Sequence, residues 1–279
     1  MNSVGTYMRI LLFMLGSLTI ALLATQDAST TSESLQVIAD FADATNTGIP
    51  PGVTLRRSES LVINTAGAII EGLDMQGMVT INANNVTLKN CKVTAGGWAV
   101  INITSGKTGV VIQNCEINGL SAEGVRGISG QGTFLRNNIH HVEDGIYLTA
   151  GAGTLIQGNY IHSLQSNWSG PHYDGIATDG GVSDIVIRHN TVVNPHNQTS
   201  AVMLSNYFGS VKNVTVDNNW LEGGGYTVYS DGQFNGGTIS GVSFTNNYLV
   251  KGKFGYSSIR NNTPIWHGNV DGNTGRALR

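Results

Sequence analysis

The sequence has little charge and little proline for its length. Of 279 residues, 12% are charged and 5 are proline, and the formal net charge is −3. A disordered chain would be more charged and less apolar, so there is enough apolar material for a packed core. Nucleic-acid binders need a concentrated basic surface to displace counterions from phosphates. The charge balance therefore predicts no nucleic-acid partner and no dedicated membrane surface.

The N-terminal segment has the pattern of a secretion signal. Arg9 is the only charged side chain before Gln26, and residues 10–24 are a run of mostly apolar residues. This run is short for a membrane span and fits the apolar part of a signal peptide. We predict a signal peptide over residues 1–28, with an uncleaved anchor as the alternative. In either case the body of the protein is expected outside the cytoplasm, secreted or at the cell surface.

A short pattern recurs along the rest of the chain: an apolar residue, two variable ones, Asn or Cys, one variable residue and another apolar one. Clear copies begin at Leu88, Ile112, Phe134, Ile156, Ile187, Val216 and Phe244, with weaker ones near Ile70 and Asn269. From Leu73 onward, the sequence numbers of successive Asn or Cys positions differ by 18, 24, 22, 22, 31, 29, 28 and 22. A period near 22 with occasional insertions is typical of a solenoid of short strands.

Each repeat predicts two short strands with a bend between them. The flanking apolar residues alternate and therefore point inward. Asn at the bend tolerates a left-handed backbone, and its amide can hydrogen-bond to the Asn of the next coil. A leucine-rich horseshoe would need regular leucines and a helix in every repeat, which the sequence lacks. We therefore predict an all-β fold, a single-stranded right-handed parallel β-helix of about nine coils over residues 52–279.

Residues 29–51 are predicted to form a linker and an N-terminal cap. Leu35, Ile38, Ala39 and Ala42 have helical spacing, which predicts a short helix that covers the first coil.

Cysteine is also scarce, and the repeat places Cys91 and Cys115 at equivalent positions of neighbouring coils. Strands about 4.8 Å apart allow a disulfide. In-register side chains point in parallel, however, so we expect a free buried pair, with the disulfide as the alternative.

The longest interval, between Asn159 and Asn190, marks an insertion. The numbering advances by 31 here, against 22 in the interval before it, and the excess falls in residues 163–173, which include Trp168. Long loops on a rigid solenoid commonly carry binding or catalytic residues.

The insertion leads into one of two equivalent Asp-Gly-Ile segments, which begin at Asp144 and Asp174 and are predicted to stack. The two flanking coils add further polar side chains, namely His140, His141, His162, His172 and Asp179. Stacked carboxylates can hold Ca²⁺ or split their pKa values for acid–base work, and histidines exchange protons near neutral pH. The structural alternative is that each Asp before Gly caps a turn and the histidines have no role. Coincidence with the insertion favours function.

The repeats resemble those of the pectin-lyase-like superfamily, which includes pectate and alginate lyases and polygalacturonases. Similarity to a narrower group of secreted bacterial β-helix proteins is carried by residues 48–52, 68–72, 172–176, 187–191 and 223–229. In that group a Gln commonly follows the His-x-Asp-Gly-Ile segment, whereas this chain has Ala177. The resemblance implies a secreted carbohydrate-active protein and covers nearly the whole mature chain.

The resemblance does not select one chemistry. Of the polygalacturonase motifs, only Asp174-Gly175 and Asp179 are echoed, and the Arg-x-Lys is missing. Related lyases neutralise a uronate carboxylate with Ca²⁺ or cationic side chains and abstract a proton with a basic residue. Here that chemistry implies Ca²⁺ on Asp144 and Asp174 with His172 or Tyr173 as the base.

Three functions are therefore open. The function we predict is a polysaccharide lyase or uronate epimerase that acts on an acidic glycan by metal-assisted β-elimination. The alternatives are a glycoside hydrolase with paired aspartates and a non-catalytic glycan-binding or surface protein. The predicted partner is a polysaccharide, the only predicted cofactor is Ca²⁺, and the protein is expected to be a monomer. The predicted catalytic residues are His172, Asp174, Tyr173, Asp144, His141 and Arg126, and the predicted substrate-binding residues are His140, His162, Trp168 and Asp179.

Overall fold

The structure is a computed structural model that describes residues 41–279. The predicted signal peptide and most of the predicted linker lie outside the described residues. No described segment forms a helix long and apolar enough to cross a membrane.

The described chain is built from short β-strands. In chain order they are β1 (Arg56–Ile63), β2 (Ile69–Glu71), β3 (Leu73–Ile81), β4 (Thr87–Lys89), β5 (Lys92–Thr94), β6 (Ala99–Ile103), β7 (Val111–Gln113), β8 (Glu116–Asn118), β9 (Arg126–Ser129), β10 (Thr133–Leu135), β11 (Asn138–His140), β12 (Asp144–Tyr147), β13 (Gly151–Gln157), β14 (Tyr160–His162), β15 (Asp174–Thr178), β16 (Val182–Arg188), β17 (Thr191–Asn194), β18 (Ser200–Ser205), β19 (Val211–Asp217), β20 (Trp220–Gly223), β21 (Tyr226–Asp231), β22 (Ile239–Thr245), β23 (Tyr248–Val250), β24 (Gly255–Arg260), β25 (Ile265–His267) and β26 (Val270–Asp271).

The strands stack in three columns, and every pairing between them is parallel. The first column is the nine-stranded sheet that runs from β2 to β25. The second column runs from β3 through β5, β8, β11, β14, β17, β20 and β23 to β26, and the third from β3 through β6, β9, β12, β15, β18 and β21 to β24. The chain thus winds as a parallel β-solenoid, as predicted. It has about seven turns, slightly fewer than the nine predicted, because the terminal coils lack strands in some columns.

Inward apolar side chains hold the coils together. In the first column, the apolar residues that lie three positions before each ladder Asn pair in register. Ile156 pairs with Ile187, Ile187 with Val216, and Val216 with Phe244. All four side chains are buried. The period-two alternation of strands places them inside, and their stacking forms a continuous apolar core. The repeat register predicted from the sequence is confirmed.

The predicted asparagine ladder is also present. Six fully or almost fully buried asparagines stack along the bend between the first and second columns: Asn137, Asn159, Asn190, Asn219, Asn247 and Asn269. Each side-chain amide donates to the Oδ1 atom of the next, across 2.9–3.0 Å. The ladder satisfies polar groups that would otherwise be buried without partners.

The left-handed residue of each bend is not the ladder asparagine, as we had predicted, but the residue before it. Positive φ angles of 49–68° occur at Asn90, Asn114, Arg136, Gly158, His189, Asn218, Asn246 and Gly268. The preceding residue makes the turn, so the ladder side chain stays directed into the stack. Asn, which tolerates this conformation, holds half of these positions.

The described part of the chain contains no helix. Leu35, Ile38 and Ala39 of the predicted capping helix lie outside it, and Ala42 is not helical. Phe41 is buried instead beside the ring of His189, with ring centroids 5.3 Å apart.

Cys91 and Cys115 are free and buried in the core. Burial raises the pKa of both thiols. The free pair that we expected is therefore what the structure contains.

Candidate functional site

A pocket of about 490 Å³ opens on the outer face of the third column. It brings together most of the predicted catalytic residues. Six of the residues that line it were singled out from the sequence: Arg126, Asp144, His172, Asp174, Ala177 and Asp179.

The two Asp-Gly-Ile segments place their aspartates one above the other. They begin β12 and β15, which pair through Ile146 and Ile176. A Cβ atom on Gly145 would collide with the carbonyl oxygen of Gly175. Glycine is therefore needed for the close approach of these strands, and the two aspartates stand at strand starts.

Asp144 and Asp174 form a buried carboxyl pair. The backbone N–H of Asp174 donates to Oδ1 of Asp144 across 3.4 Å. Oδ1 of Asp174 accepts from the backbone N–H and the hydroxyl of Ser200, at 3.1 and 2.8 Å. Only 16% of the Asp144 side chain is exposed, and Arg126 Nε lies 3.5 Å from its Oδ2.

Burial gives this pair unusual acid–base properties. Loss of solvation raises the pKa of Asp144 to about 7, although the Arg126 guanidinium opposes the shift. Loss of solvation, together with the charge of Asp144, raises the pKa of Asp174 well above its usual range. Desolvation of both carboxyl groups disfavours ionising the two together, so at least one proton stays on the pair below about pH 7.

Arg126, Tyr147 and Asp179 form one wall of the pocket. The guanidinium carbon of Arg126 lies 3.7 Å from the ring centroid of Tyr147, a cation–π contact. The Tyr147 hydroxyl donates to Oδ2 of Asp179 across 2.8 Å. Burial and this hydrogen bond raise the pKa of Tyr147, which keeps the hydroxyl protonated. Tyr147 was not predicted from the sequence, although it follows Ile146 at an outward strand position.

Glu143 fixes the insertion to the pocket. One of its carboxylate oxygens accepts from the backbone N–H of His172 at 3.2 Å, and the other from that of Gly124 at 3.1 Å. His172 lines the pocket as predicted, and Trp168 contacts it edge-on, with ring centroids 6.5 Å apart. Glu143 was not among the predicted residues, since an acid next to Asp144 gives no sign of its burial.

Tyr173, a predicted base, does not line the pocket. Its side chain is buried and stacks on His196, with ring centroids 3.5 Å apart. The chain alternates direction along this segment, so His172 and Asp174 reach the pocket while Tyr173 points away from it.

The structure separates His140, His141 and His162 from the carboxyl pair. His140 and His162 are in register, as predicted, but on β11 and β14 of the second column. The Nε2 atom of His140 contacts the Glu116 carboxylate, and its Nδ1 atom contacts Nδ1 of His141. Because the chain bends between β11 and β12, these histidines lie on a different face from Asp144.

The predicted Ca²⁺ site has few free ligands. Ca²⁺ takes six to eight oxygen ligands. Arg126, the Asp174 amide and Ser200 already occupy oxygens of the carboxyl pair. Within residues 41–279, no group of three or more His, Cys, Asp or Glu side chains is arranged to hold a metal ion. The described residues therefore fit Ca²⁺ poorly.

The other side of the pocket is lined by residues that the sequence did not suggest. They come from the segment after β18, from the end of β21 and from the segment that follows it, and are Tyr207, Phe208, Asp231 and Phe234. The available signal was the length of these coils, since both exceed the basic repeat.

A comparison with known protein families gives a match to a family described as "right handed beta helix region", over residues 76–249. The match covers more than half of the chain and includes the strands that carry Arg126, Asp144 and Asp174. It agrees with the parallel solenoid, the repeat register and the asparagine ladder. The chain belongs to the right-handed β-helix family.

Proposed function

We propose that the protein is an extracellular carbohydrate-active enzyme that hydrolyses glycosidic bonds with Asp144 and Asp174. The observation that carries this proposal is a pair of carboxyl groups on adjacent strands that faces an open pocket, with Arg126 beside only one of them. Desolvation of the pair favours one carboxylic acid and one carboxylate. Glycoside hydrolysis requires this combination of one carboxylic acid and one carboxylate. The predicted signal peptide supports a site of action outside the cell.

The environments of the two groups suggest their roles. Asp174 has no cationic partner within the described residues, so it holds the proton and acts as the acid that protonates the leaving oxygen. Asp144 lies beside Arg126 and is the more readily ionised of the two. Its carboxylate attacks the anomeric carbon as the bond to the leaving oxygen breaks. Asp174, now ionised, then takes a proton from a water molecule whose oxygen displaces Asp144.

The spacing of the strands favours this two-step course. Neighbouring strands lie about 4.8 Å apart. Carboxyl groups of retaining glycosidases are about 5–5.5 Å apart, while inverting enzymes leave about 6.5–9.5 Å for a water molecule. Because Asp144 and Asp174 stand on adjacent strands, we propose that the anomeric configuration is retained.

The lyase expected from the sequence is the second candidate. It is favoured by Arg126, whose Nε makes no hydrogen bond within the described residues and can receive a uronate carboxylate if the ion pair with Asp144 opens. His172, which lines the same pocket, would then be the base.

A product analysis separates the two. Wild-type protein is incubated with a panel of neutral polysaccharides and polyuronates, and reducing ends and the ultraviolet absorbance of unsaturated products are both measured. Hydrolysis predicts reducing ends without that absorbance, lost by at least about 100-fold in Asp174→Asn. Asp184→Asn, on the exposed face of β16, is the matched control. Unsaturated products, or full activity in Asp174→Asn, would overturn the proposal.

A further inference from the structure

Three aromatic side chains, two of them exposed and one partly buried, form a platform at the edge of the carboxyl pocket. Tyr207, Phe208 and Phe234 all line it, and Tyr207 and Phe208 are 53% and 74% exposed. Tyr207 meets both phenylalanines near edge-on, with ring centroids 4.7 Å from Phe208 and 4.9 Å from Phe234. Apolar surface of this kind, next to a pocket with polar groups, is typical of a ligand site.

The platform is held rigidly from below. The side chain of Asn206 is fully buried, and its amide donates to the carbonyl oxygens of Phe234 and Gly237, at 2.7 and 2.6 Å. Its Oδ1 accepts from the backbone N–H of Phe234 at 3.0 Å. The backbone N–H of Phe208 donates to the carbonyl of Asp179 at 2.6 Å. These bonds tie the platform to the coil of Asp174, so little ordering is needed when a ligand binds.

The charge of the pocket selects against anionic ligands. Five acidic side chains line it: Glu143, Asp144, Asp174, Asp179 and Asp231. In the described structure, Arg126 is the only Lys or Arg side chain in the lining, and it lies against Asp144 and the Tyr147 ring. A polyuronate would meet net repulsion here, whereas a neutral sugar would not.

We propose that the platform of Tyr207, Phe208 and Phe234 is a sugar-stacking subsite and that the ligand is a neutral polysaccharide. The apolar C–H face of a pyranose ring covers the exposed aromatic surface, while its hydroxyls reach the acidic side chains of the pocket as hydrogen-bond donors. That this ligand is also a substrate rests on the proposed function. Binding at the platform does not, and it can be tested without catalysis.

The proposal can be tested by calorimetric titration of the Asp174→Asn protein. The ligands are neutral hexasaccharides of glucose, xylose and mannose, and hexamers of galacturonate and mannuronate. We expect at least one neutral hexasaccharide to bind more tightly than either uronate. In the Asp174→Asn background, Phe208→Ala should weaken that binding at least tenfold, whereas Phe208→Tyr should bind as the parent does. The control is Phe254→Ala, which should leave binding unchanged because Phe254 is 58% exposed but lies outside this pocket.

Three outcomes would contradict the sugar-stacking role of the platform. They are tighter binding of a uronate, no binding of any neutral hexasaccharide, and equal affinities of Phe208→Ala and its parent. The two proposals fail separately. If neutral sugars bind through Phe208 but no polysaccharide is cleaved, the platform stands and the hydrolase falls. If hydrolysis occurs with an unchanged KM in Phe208→Ala, the hydrolase stands and the platform falls.

Discussion

Asp174 donates its backbone N–H to the side chain of Asp144 on the neighbouring coil, across 3.4 Å. This bond fixes two carboxyl groups on adjacent strands at the floor of one pocket. The solenoid thus supplies by stacking what other folds assemble from distant segments: a pair of acids in different electrostatic environments. The remaining wall of the pocket consists of aromatic residues that come from loops of later coils.

The carboxyl pair should destabilise the protein as pH rises. The native pKa values of Asp144 and Asp174 are above their unfolded values, so the native state binds more protons than the unfolded state from about pH 4 to 7. The free energy of unfolding should therefore fall through this window. Asp174→Asn keeps an acceptor for Ser200 and cannot ionise, so its free energy of unfolding by urea should fall less between pH 4 and 7 than that of the wild type.

The control for this prediction is Asp184→Asn, because Asp184 is exposed and hydrogen bonds lower its pKa. It should leave the slope between pH 4 and 7 as in the wild type. An equal fall in the stability of Asp174→Asn and wild type over this range would contradict the raised pKa of Asp174.

His162 should have the opposite pH dependence. Burial and the neighbouring His140 lower the pKa of His162 to about 4. Between pH 6.5 and 4 the unfolded state then binds more protons, so the contribution of His162 to stability is lost as pH falls. His162→Gln should lose less stability than wild type over this range in urea unfolding. The same substitution at the exposed His267 is the control; a parallel shift in both variants would contradict the assignment.

Breaking the asparagine ladder should be costly. Asn190 accepts from Asn159 and donates to Asn219, each through fully buried groups. Asn190→Ala removes the acceptor of both the backbone N–H and the side-chain amide of Asn159, at roughly 1–3 kcal/mol for each buried group left without a partner. We expect a loss of several kcal/mol of unfolding free energy by urea titration. Asn102→Ala, on the outward face of β6, should cost less than about 0.5 kcal/mol, and equal losses would contradict a structural role for the ladder.

Calcium should not alter the stability of the fold. The carboxyl oxygens at the predicted site already contact Arg126, Ser200 and the Asp174 amide. A ligand that binds the native state raises its melting temperature by mass action. Thermal unfolding in chelator and in excess Ca²⁺ should therefore give the same Tm. A higher Tm in Ca²⁺ that Asp144→Asn abolishes would restore the predicted metal site.

The repeat register could be predicted because period and geometry are directly linked. Each coil must return to the same position, so the Asn at 137 and its successors recur at the bend, and Asp144 and Asp174 follow at equivalent strand starts. The register also identified the coil with the insertion. The register did not show on which face of the solenoid each outward side chain lies. His140 and Asp144 are close in sequence, but the bend between β11 and β12 places them in different columns.

The aromatic platform could not be predicted because it depends on loops. Phe208 and Phe234 belong to successive coils and meet only through the fold of two connections that have no repeat of their own. Likewise, nothing in the sequence shows that Glu143 is buried and accepts from the backbone N–H groups of His172 and Gly124. Loop conformation and the resulting desolvation are set by tertiary contacts.

The protonation state of the carboxyl pair decides whether Asp144 and Asp174 can act as nucleophile and acid, and it can be measured without a substrate. Carboxyl-carbon NMR titration of the wild type, with Asp144→Asn and Asp174→Asn to assign the signals, reports each group separately. We predict that Asp144 titrates near pH 7 and that the pKa of Asp174 lies well above its usual range, so that the pair holds at least one proton at pH 6. Titration of both signals near pH 4, as for exposed aspartates, would contradict it.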